Sequence, residues 1–279
     1  MDSSWATSLR VWPQHEDGIL YGFVDHKGKF VITEQFDYAN PFSDGFASIE
    51  VDRQHGYINH AGQWLTTQRF AEATDFHDGV AWVIEKGDCA ADGLCGVYTV
   101  GKPPIPPAVS RRCRYSLLNT KGEIVAAEAY LDVKPFSEGL APVSDGKLWG
   151  YSDRSGKLVI PLQFDYAQPF SEGVAAACTS ATSCGHIDNT GAMVIPATFR
   201  ETRDFSEGLA AVQLESGWYS YIDRTGRIVI RGQFDAPSNF VKGLAHVAWR
   251  DEQDTTHWSY IDRTGKTVFT YTRRREERP

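Results

Sequence analysis

Glycine recurs in this sequence at a nearly constant interval, and each copy in one series follows an Asp or Asn by three residues. That series comprises Gly28, Gly62, Gly122, Gly156, Gly191, Gly226 and Gly265. A second series, in the pattern Phe-Ser-x-Gly and its variants, comprises Gly45, Gly79, Gly139, Gly173, Gly208 and Gly243. A fixed period of about 20 to 50 residues is typical of repeat proteins in which each unit is completed only by its neighbours. The sequence therefore predicts a repeat array.

One long insertion interrupts the period. Members of the second glycine series are separated by 34, 60, 34, 35 and 35 residues, and we assign the extra length to residues 87–113. Because a stacked array shares one continuous core, we expect a single domain over residues 1–272. Residues 273–279 carry four arginines diluted by two glutamates, which is typical of a solvated charged tail.

The local pattern in each unit indicates strands. Asp153 and Gly156 flank a short turn between two apolar runs, which predicts a hairpin whose Asp caps the turn and whose glycine takes the left-handed conformation. Pro161 follows the second run, and we expect it to end the ladder. No window shows a helical apolar period, and Gly or Pro recurs every 8 to 12 residues or so. The chain is predicted to be all-β.

Two architectures remain open for about seven units of 34–35 residues built from short hairpins and strands. A curved, open, solenoid-like array is favoured, because about 35 residues is short for a four-stranded blade of about 40 to 45. The alternative is a seven-bladed β-propeller.

Several runs of one repeat resemble a known family. They are Trp149-Gly150-Tyr151, Gly156-Lys157-Leu158-Val159-Ile160-Pro161, Phe164-Asp165 and Phe170-Ser171-Glu172-Gly173. They resemble the bacterial WG-repeat family, also called KWG repeats, and the resemblance extends over nearly the whole chain. The Trp-Gly pair itself is complete only at 149–150. The resemblance implies a β-repeat scaffold of bacterial origin, and it implies no enzymatic activity.

Charge and hydropathy restrict the partners. The formal net charge is −8, whereas binding to a phosphate backbone requires a basic face, so we expect no nucleic acid partner. A protein partner with basic patches fits this charge better. The sequence contains no apolar stretch long enough for a membrane span, and no basic start followed by an apolar block. As written, the sequence predicts a cytoplasmic protein without a secretion signal.

The cysteines favour a different compartment. Cys178 and Cys184 are separated by five residues of turn composition, and Cys89 and Cys95 share that spacing. Facing positions on antiparallel strands lie within disulfide reach, so both pairs are candidate disulfides, with free thiols as the alternative. Two disulfides would indicate a periplasmic or exported protein.

Three sets of residues were weighed as chemical sites. The first is the turn series Asp25, Asn59, Asn119, Asp153, Asp188, Asp223 and Asp262, which would suggest calcium if clustered. The second is Cys178 and Cys184 with His186, as zinc ligands or a nucleophile and base, against a hairpin disulfide beside a half-exposed histidine. The third is the acidic column Asp44, Asp78, Glu138, Glu172 and Glu207, which would suggest a glycosidase if two carboxylates faced a cleft. Because each set repeats or lacks a further ligand, structural roles are favoured, and no catalytic residue, metal or cofactor is predicted.

The insertion and the tryptophans are the remaining candidates for recognition. The insertion residues predicted to contact a partner are Asp88, Asp92, Tyr98, Arg111 and Arg112. A long loop in a compact array is usually functional or disordered. Trp82, Trp218, Trp249 and Trp258 are expected to fill the core where units meet, with a ligand-stacking surface as the alternative.

Together these features predict a non-catalytic scaffold that presents a repeat surface to a protein partner. An immunity-type inhibitor that covers a toxin is a specific version of this hypothesis. A cell-envelope carbohydrate-binding module is the alternative, and an enzyme with its site in the insertion is the least favoured. The oligomeric state is left open.

Overall fold

The computed structural model of the chain describes residues 8–10, 20–85, 114–251 and 255–272. All regular secondary structure in these ranges is β-strand, so the prediction of an all-β tandem repeat is confirmed. Over the same ranges, no helix has the length and hydropathy needed to cross a membrane.

The described strands form six antiparallel sheets, and within each sheet the strands lie side by side in chain order. A three-stranded sheet contains β1 (Ser8–Arg10), β2 (Tyr21–Val24) and β3 (Phe30–Phe36). A seven-stranded sheet contains β4 (Tyr38–Ala39), β5 (Phe46–Val51), β6 (Gln54–Asn59), β7 (Phe70–Ala73), β8 (Val80–Glu85), β9 (Tyr115–Asn119) and β10 (Ile124–Tyr130).

The other four sheets each have four strands. The first contains β11 (Asp132–Val133), β12 (Leu140–Ser144), β13 (Trp149–Asp153) and β14 (Leu158–Phe164). The second contains β15 (Tyr166–Ala167), β16 (Ala175–Ser180), β17 (Ser183–Ile187) and β18 (Met193–Phe199). The third contains β19 (Glu201–Thr202), β20 (Ala210–Gln213), β21 (Tyr219–Ile222) and β22 (Ile228–Phe234). The last contains β23 (Ala236–Pro237), β24 (Leu244–Arg250), β25 (Thr256–Asp262) and β26 (Thr267–Thr272).

Each of these four sheets is a four-stranded meander within about 35 residues, a length that the sequence analysis takes as short for such a unit. Four strands fit because the first strand of each meander is only two residues long. The expectation that proline ends the ladder is wrong. Pro161 lies inside β14 and Pro196 inside β18, each in the last strand of its sheet. An edge strand tolerates proline because one side of the strand needs no ladder hydrogen bonds.

Contacts within the chain group it into two compact units. The first comprises Met1–Gly146 with Ser152–Leu158, and the second comprises Lys147–Tyr151 with Val159–Pro279. The single domain over residues 1–272 and the separate tail at 273–279 stay predictions.

The core of the first unit consists of clusters that join one repeat to the next. Phe23, Ile32 and Phe36 pack against Ala47, Ile49 and Ile58 of the following repeat. A second cluster contains Tyr57, Phe70, Phe76, Ala81, Val83 and Leu118, and a third contains Val80, Trp82, Leu117, Tyr130, Phe136, Ala141 and Val143. Apolar burial of this kind, about 25 cal/mol per Å², makes each sheet depend on its neighbour.

The second unit repeats this arrangement. One cluster contains Ile195, Phe199, Phe205, Ala210, Val212 and Ile222. The next contains Leu209, Ala211, Tyr219, Tyr221, Ile230, Phe240, Ala245, Val247 and Ile261. In both clusters, one sheet contributes tyrosine, phenylalanine or isoleucine, and the facing sheet contributes mainly Ala, Val and Ile. The repeated sequence therefore encodes two complementary sheet faces.

Candidate functional site

The insertion predicted to contact a partner lies outside the described residues. This applies to Asp88, Asp92, Tyr98, Arg111 and Arg112, and to the second candidate disulfide, Cys89 with Cys95. Their roles stay predictions. All seven turn glycines, in contrast, lie within the described ranges and have positive φ angles, as expected for the left-handed conformation.

The disulfide predicted between Cys178 and Cys184 is present. The two residues are direct partners in the antiparallel register of β16 and β17, with their Cα atoms 3.9 Å apart. Since both sulfurs are joined to each other, neither cysteine is available as a zinc ligand or a nucleophile. Over the described ranges, no group of three or more His, Cys, Asp or Glu side chains is placed to hold a metal ion.

His186 is fully buried, so the expectation of a half-exposed histidine is wrong. Its Nε2 lies 3.1 Å from the backbone oxygen of Arg203, and its Nδ1 has no hydrogen-bond partner. Burial lowers the pKa of His186 from 6.5 to about 4, since a charged imidazole would lose its hydration. The ring is therefore neutral at pH 7 and donates from Nε2 to the carbonyl.

The same hydrogen bond explains why a histidine lies at this repeat position. In other repeats a tyrosine hydroxyl donates to the backbone oxygen 17 residues later: Tyr57 to Thr74, Tyr151 to Gln168 and Tyr221 to Ser238. His186 contacts the oxygen of Arg203, also 17 residues later. His186 thus replaces a structural tyrosine, and a catalytic role as base is not supported.

The turn Asp and Asn residues cap their own hairpins. In each turn the side-chain oxygen accepts hydrogen bonds from the backbone N–H groups two and four residues later. Asp188, for example, accepts from Thr190 at 2.9 Å and from Ala192 at 3.1 Å. The hydroxyl and backbone N–H of Thr190 lower the pKa of Asp188, because they stabilise the carboxylate. The turn Asp and Asn side chains thus cap their own hairpins, as the sequence predicts.

The acidic column links consecutive loops. Four of the five carboxylates accept a hydrogen bond from the backbone N–H of the corresponding glycine in the next repeat: Asp44 from Gly79, Asp78 from Gly139, Glu172 from Gly208 and Glu207 from Gly243. The neighbouring serine hydroxyls donate in the same direction: Ser43 to Phe76, Ser171 to Phe205 and Ser206 to Phe240. These carboxylates therefore serve the scaffold, and they do not form a glycosidase pair.

A groove of mixed polarity lies in the second unit, beside the two-residue strands β15, β19 and β23. It consists of two adjoining cavities of about 470 Å³ and 670 Å³, which share Tyr166 and Glu201. We call it the Tyr166–Glu201 groove. Eight of its 17 lining residues carry an amide or a hydroxyl, including Gln168, Ser238 and Asn239.

Two charged groups of the groove, Glu201 and Arg203, form an ion pair. Glu201 accepts a 2.6 Å hydrogen bond from the hydroxyl of Tyr219, and the guanidinium Nε of Arg203 lies 3.8 Å from the same carboxylate. Burial and the bond to Glu201 raise the pKa of Tyr219 to about 12, so its phenol stays protonated. Arg203 also donates to the backbone oxygen of Pro237 at 2.8 Å. The network holds the side chains of Tyr219, Glu201 and Arg203 in place.

The Cys178–Cys184 disulfide forms part of one groove wall, next to Thr182. A covalent link between β16 and β17 restricts that wall before any ligand arrives, and such preorganisation favours binding. Tyr166 lines both cavities, with 40% of its surface exposed. The site therefore combines an exposed aromatic ring, polar side chains and a rigid wall.

The groove was not predicted from the sequence, although the sequence contains a signal for it. Tyr166 belongs to the run Phe-Asp-Tyr-Ala, which recurs at Phe36 to Ala39 with Tyr38 in the same place. Both tyrosines are largely exposed, whereas the Phe and Ala beside them are buried. An exposed aromatic between two buried positions distinguishes a surface role from a core role.

The tryptophans divide between core and surface. Trp82 is buried and packs against Phe136 and Tyr130, with ring centroids 5.6 Å and 5.9 Å away, as the core prediction required. Trp258 is instead partly exposed on β25, where it stacks against His246.

The family model for the WG containing repeat matches six segments of the chain: 21–53, 56–87, 115–149, 149–179, 185–218 and 219–247. The chain belongs to the WG-repeat family. The WG positions show why glycine is favoured there. A Cβ at Gly150 would lie 2.4 Å from the backbone oxygen of Ile160, and one at Gly185 2.2 Å from that of Ile195.

Solved structures share this fold at low sequence identity. A crystal structure of the eukaryotic initiation factor is 12% identical with a TM-score of 0.57, covering 96% of this chain and 73% of that one. BamB from Moraxella catarrhalis is 9% identical with a TM-score of 0.50, covering 96% of this chain and 91% of that one. At such identity the likeness concerns the fold alone. No curated protein matches the chain significantly by sequence.

Proposed function

We propose that this WG-repeat protein is a non-catalytic scaffold that binds a protein partner in the Tyr166–Glu201 groove. The observation that carries the proposal is the groove itself, in which an exposed tyrosine lies near the Glu201–Arg203 ion pair and amide side chains, beside a disulfide-linked wall. Tyrosine, arginine and small polar side chains are the residue types that recognise proteins at low entropic cost.

The hydrogen bonds, burial and oxidation of the candidate catalytic groups support a binding role. The repeated carboxylates accept backbone hydrogen bonds, His186 is buried and neutral, and Cys178 is oxidised. These candidate catalytic groups therefore have structural roles.

The chemistry of the partner follows from charge. The chain carries a net charge of −8. The groove is lined by three acidic residues, Asp165, Glu201 and Asp204, and by two arginines, Arg200 and Arg203. A partner that presents lysine or arginine beside an apolar anchor would approach faster and pack against Tyr166. A toxin with a basic surface, held by this protein as an immunity-type inhibitor, is the specific version that we favour.

Two tyrosines provide a matched test. Tyr166→Ala removes the exposed ring of the groove, while Tyr38→Ala removes the equivalent ring of another repeat, which is 46% exposed. Immobilised wild-type and variant proteins are compared by quantitative mass spectrometry of retained proteins. A partner retained by wild type and Tyr38→Ala is then purified and titrated. We expect Tyr166→Ala to weaken its binding about 10- to 100-fold, which is typical of a central aromatic anchor.

Equal retention by all three proteins would contradict the groove as the site. A further variant lacking residues 87–113 separates the groove from the insertion. Loss of binding only on that deletion, with the fold retained by circular dichroism, would move the partner site to the insertion. Retention on peptidoglycan without a protein partner would favour the carbohydrate-binding alternative, in which Tyr166 stacks against a sugar.

The disulfide also bears on the compartment. A structural disulfide persists in oxidising environments, so we place this protein in the periplasm or outside the cell. A native protein that is isolated with Cys178 and Cys184 reduced would contradict this location.

A further inference from the structure

The last strand of each sheet in chain order has an open edge, to which no other strand of the described ranges is paired. These strands are β3, β10, β14, β18, β22 and β26. Five of them contain a proline or a charged residue: Glu34, Glu128, Pro161, Pro196 and Arg231. Proline and charge are common devices that keep a sheet edge from pairing with another chain. β26 has the sequence Thr-Val-Phe-Thr-Tyr-Thr and contains neither.

The two prolines show which backbone groups face the open edge. Pro161 and Pro196 each lie five residues after the turn glycine of their hairpin. Because proline has no N–H, an edge strand accepts it where the N–H would point away from the ladder. Thr270 lies five residues after Gly265 and occupies the same repeat position. The backbone N–H of Thr270 therefore faces the open edge of β26.

β26 also has the regular geometry that strand addition needs. Four successive residues, from Phe269 to Thr272, pair with β25 without a register shift. β18 and β22, in contrast, each show two register shifts against the strand beside them. Such irregularities twist an edge away from an incoming strand. Threonine, valine and aromatic residues, which make up the whole of β26, are also the types that favour strands.

The exposed side chains of β26 indicate what an added strand would carry. Phe269 is 58% exposed and Tyr271 is 38% exposed. Both lie on the same face of the sheet, since alternate residues of a strand point to the same side. An incoming strand with apolar residues at alternate positions would place them beside these two rings, as cross-strand pairs do within a sheet.

The flanks of β26 are basic, although the whole chain is acidic. Lys266 is exposed immediately before the strand, and the sequence continues after Thr272 with Arg273, Arg274 and Arg275. A centred antiparallel pair of two β26 strands would bring Lys266 of one copy beside the arginines of the other. Like charges at facing positions destabilise such a pair, which argues against a second copy as the occupant. Acidic residues at the ends of an incoming strand would instead complement both flanks.

We propose that β26 binds an extended segment of a partner protein as an additional strand of the last sheet, and that this segment is apolar at alternate positions and acidic at its ends. Main-chain hydrogen bonds to the open edge supply affinity in this mode of recognition, and the side chains supply specificity. The Tyr166–Glu201 groove lies beside β23, which forms the other edge of the same sheet. The strand-addition site is therefore separate from the groove.

Fluorescence anisotropy of a labelled peptide, titrated with the full chain, tests the proposal. The probe has three Val-Thr pairs between two glutamates at each end. Thr270→Pro gives β26 the proline that β14 and β18 already carry, and we expect it to weaken binding about 10-fold or more. Arg231→Pro, the same change on β22, should bind like the wild type. Thr270→Val removes the hydroxyl that contacts Ser259 but keeps the N–H, and should also bind like the wild type.

The acidic ends are tested separately. Lys266→Glu should weaken binding of the same probe about 2- to 10-fold, because it replaces an attraction by a repulsion. A probe with lysines in place of the glutamates should bind the wild type more weakly than the acidic probe does. Each variant is first shown to be folded by circular dichroism and thermal unfolding.

No binding of the acidic probe at about 500 μM protein would overturn the proposal. Equal binding by the wild type and Thr270→Pro would also overturn it, because the probe would then occupy another surface. Stronger binding of the lysine probe would refute the acidic ends. Sedimentation equilibrium of the wild type is a further test: a dimer that Thr270→Pro abolishes would assign the edge to a second copy instead. Retention of the groove partner is measured on Thr270→Pro and Tyr166→Ala, so failure at this edge and failure of the proposed function are distinguishable.

Discussion

Replacing the turn glycine Gly191 by alanine tests whether these glycines serve the hairpin alone or also the contact between repeats. Gly191 has φ of +86°, and a Cβ built there lies 2.8 Å from Cγ2 of Ile160 in the preceding repeat. Gly217 is a matched control, because its φ is +87° and a Cβ there meets nothing within 4 Å. Both glycines close a hairpin turn in the second unit. Both substitutions therefore place a Cβ on a residue with positive φ, and only Gly191→Ala also brings that Cβ into contact with Ile160.

The expected magnitudes follow from these distances. A residue with a Cβ in the left-handed region costs about 1 to 2 kcal/mol, which is the whole expected cost of Gly217→Ala. Carbon atoms in good contact lie about 3.5 to 4.0 Å apart, so Gly191→Ala forces a displacement of roughly 0.7 to 1.2 Å on Ile160. Ile160 is buried, and overpacking of a buried site costs about 1 to 3 kcal/mol. We expect Gly191→Ala to cost about 2 to 5 kcal/mol in total.

Urea unfolding, followed by tryptophan fluorescence and by circular dichroism, measures both costs. Ile160→Ala removes the clashing methyl group, so a double-mutant cycle with Gly191→Ala should show a coupling of about 1 to 3 kcal/mol. If Gly191→Ala and Gly217→Ala lower the free energy of unfolding equally, and the cycle shows no coupling, the inter-repeat contact of the turn glycine is refuted.

Two further predictions concern His186 and the disulfide. The unfolded chain binds a proton at His186 as the pH falls from 6.5 to about 4, while the folded chain does not. Wild type should therefore lose roughly 3 kcal/mol across that window relative to His186→Tyr, and an identical pH dependence of urea unfolding would contradict this. Replacing Cys178 and Cys184 by serine should cost about 2 kcal/mol through the short loop that they close, and should weaken partner binding in the groove. Urea unfolding and titration of the partner measure these effects, and an unchanged unfolding midpoint would show that the pair does not restrict the unfolded chain.

The hairpins could be predicted because their chemistry is local. In the turn Asp188 to Gly191, the cap and the positive φ both arise within four residues, so the sequence of that segment suffices. The cross-strand disulfide could be predicted for the same reason, since only the five residues between Cys178 and Cys184 decide the register. These features depend on no contact with another repeat.

Features that depend on packing between repeats could not be predicted in this way. Nothing local to His186 indicates that it replaces a buried tyrosine, since its acceptor lies 17 residues later on Arg203. Pro161 was expected to end a ladder, yet it lies within an edge strand whose position only the sheet order reveals. The groove likewise requires Tyr166 and Glu201, from different repeats, to lie side by side.

The last Phe-x-x-Gly loop shows which residues the backbone conformation of the loop requires and which residues the hydrogen bonds to the next loop require. Lys242 occupies the position of the acidic column and keeps φ at +52°, almost equal to the +53° of Glu207. The backbone conformation therefore does not depend on a carboxylate. Val241 replaces the serine whose hydroxyl binds the next loop at Ser206, and no further loop follows among the described residues. The carboxylate and the hydroxyl instead serve the contact with a following loop, as Glu207 does with Gly243 and Ser206 does with the backbone oxygen of Phe240. The loop conformation and the contact between loops are therefore separate requirements, and the second one determines which side chain is needed at these positions.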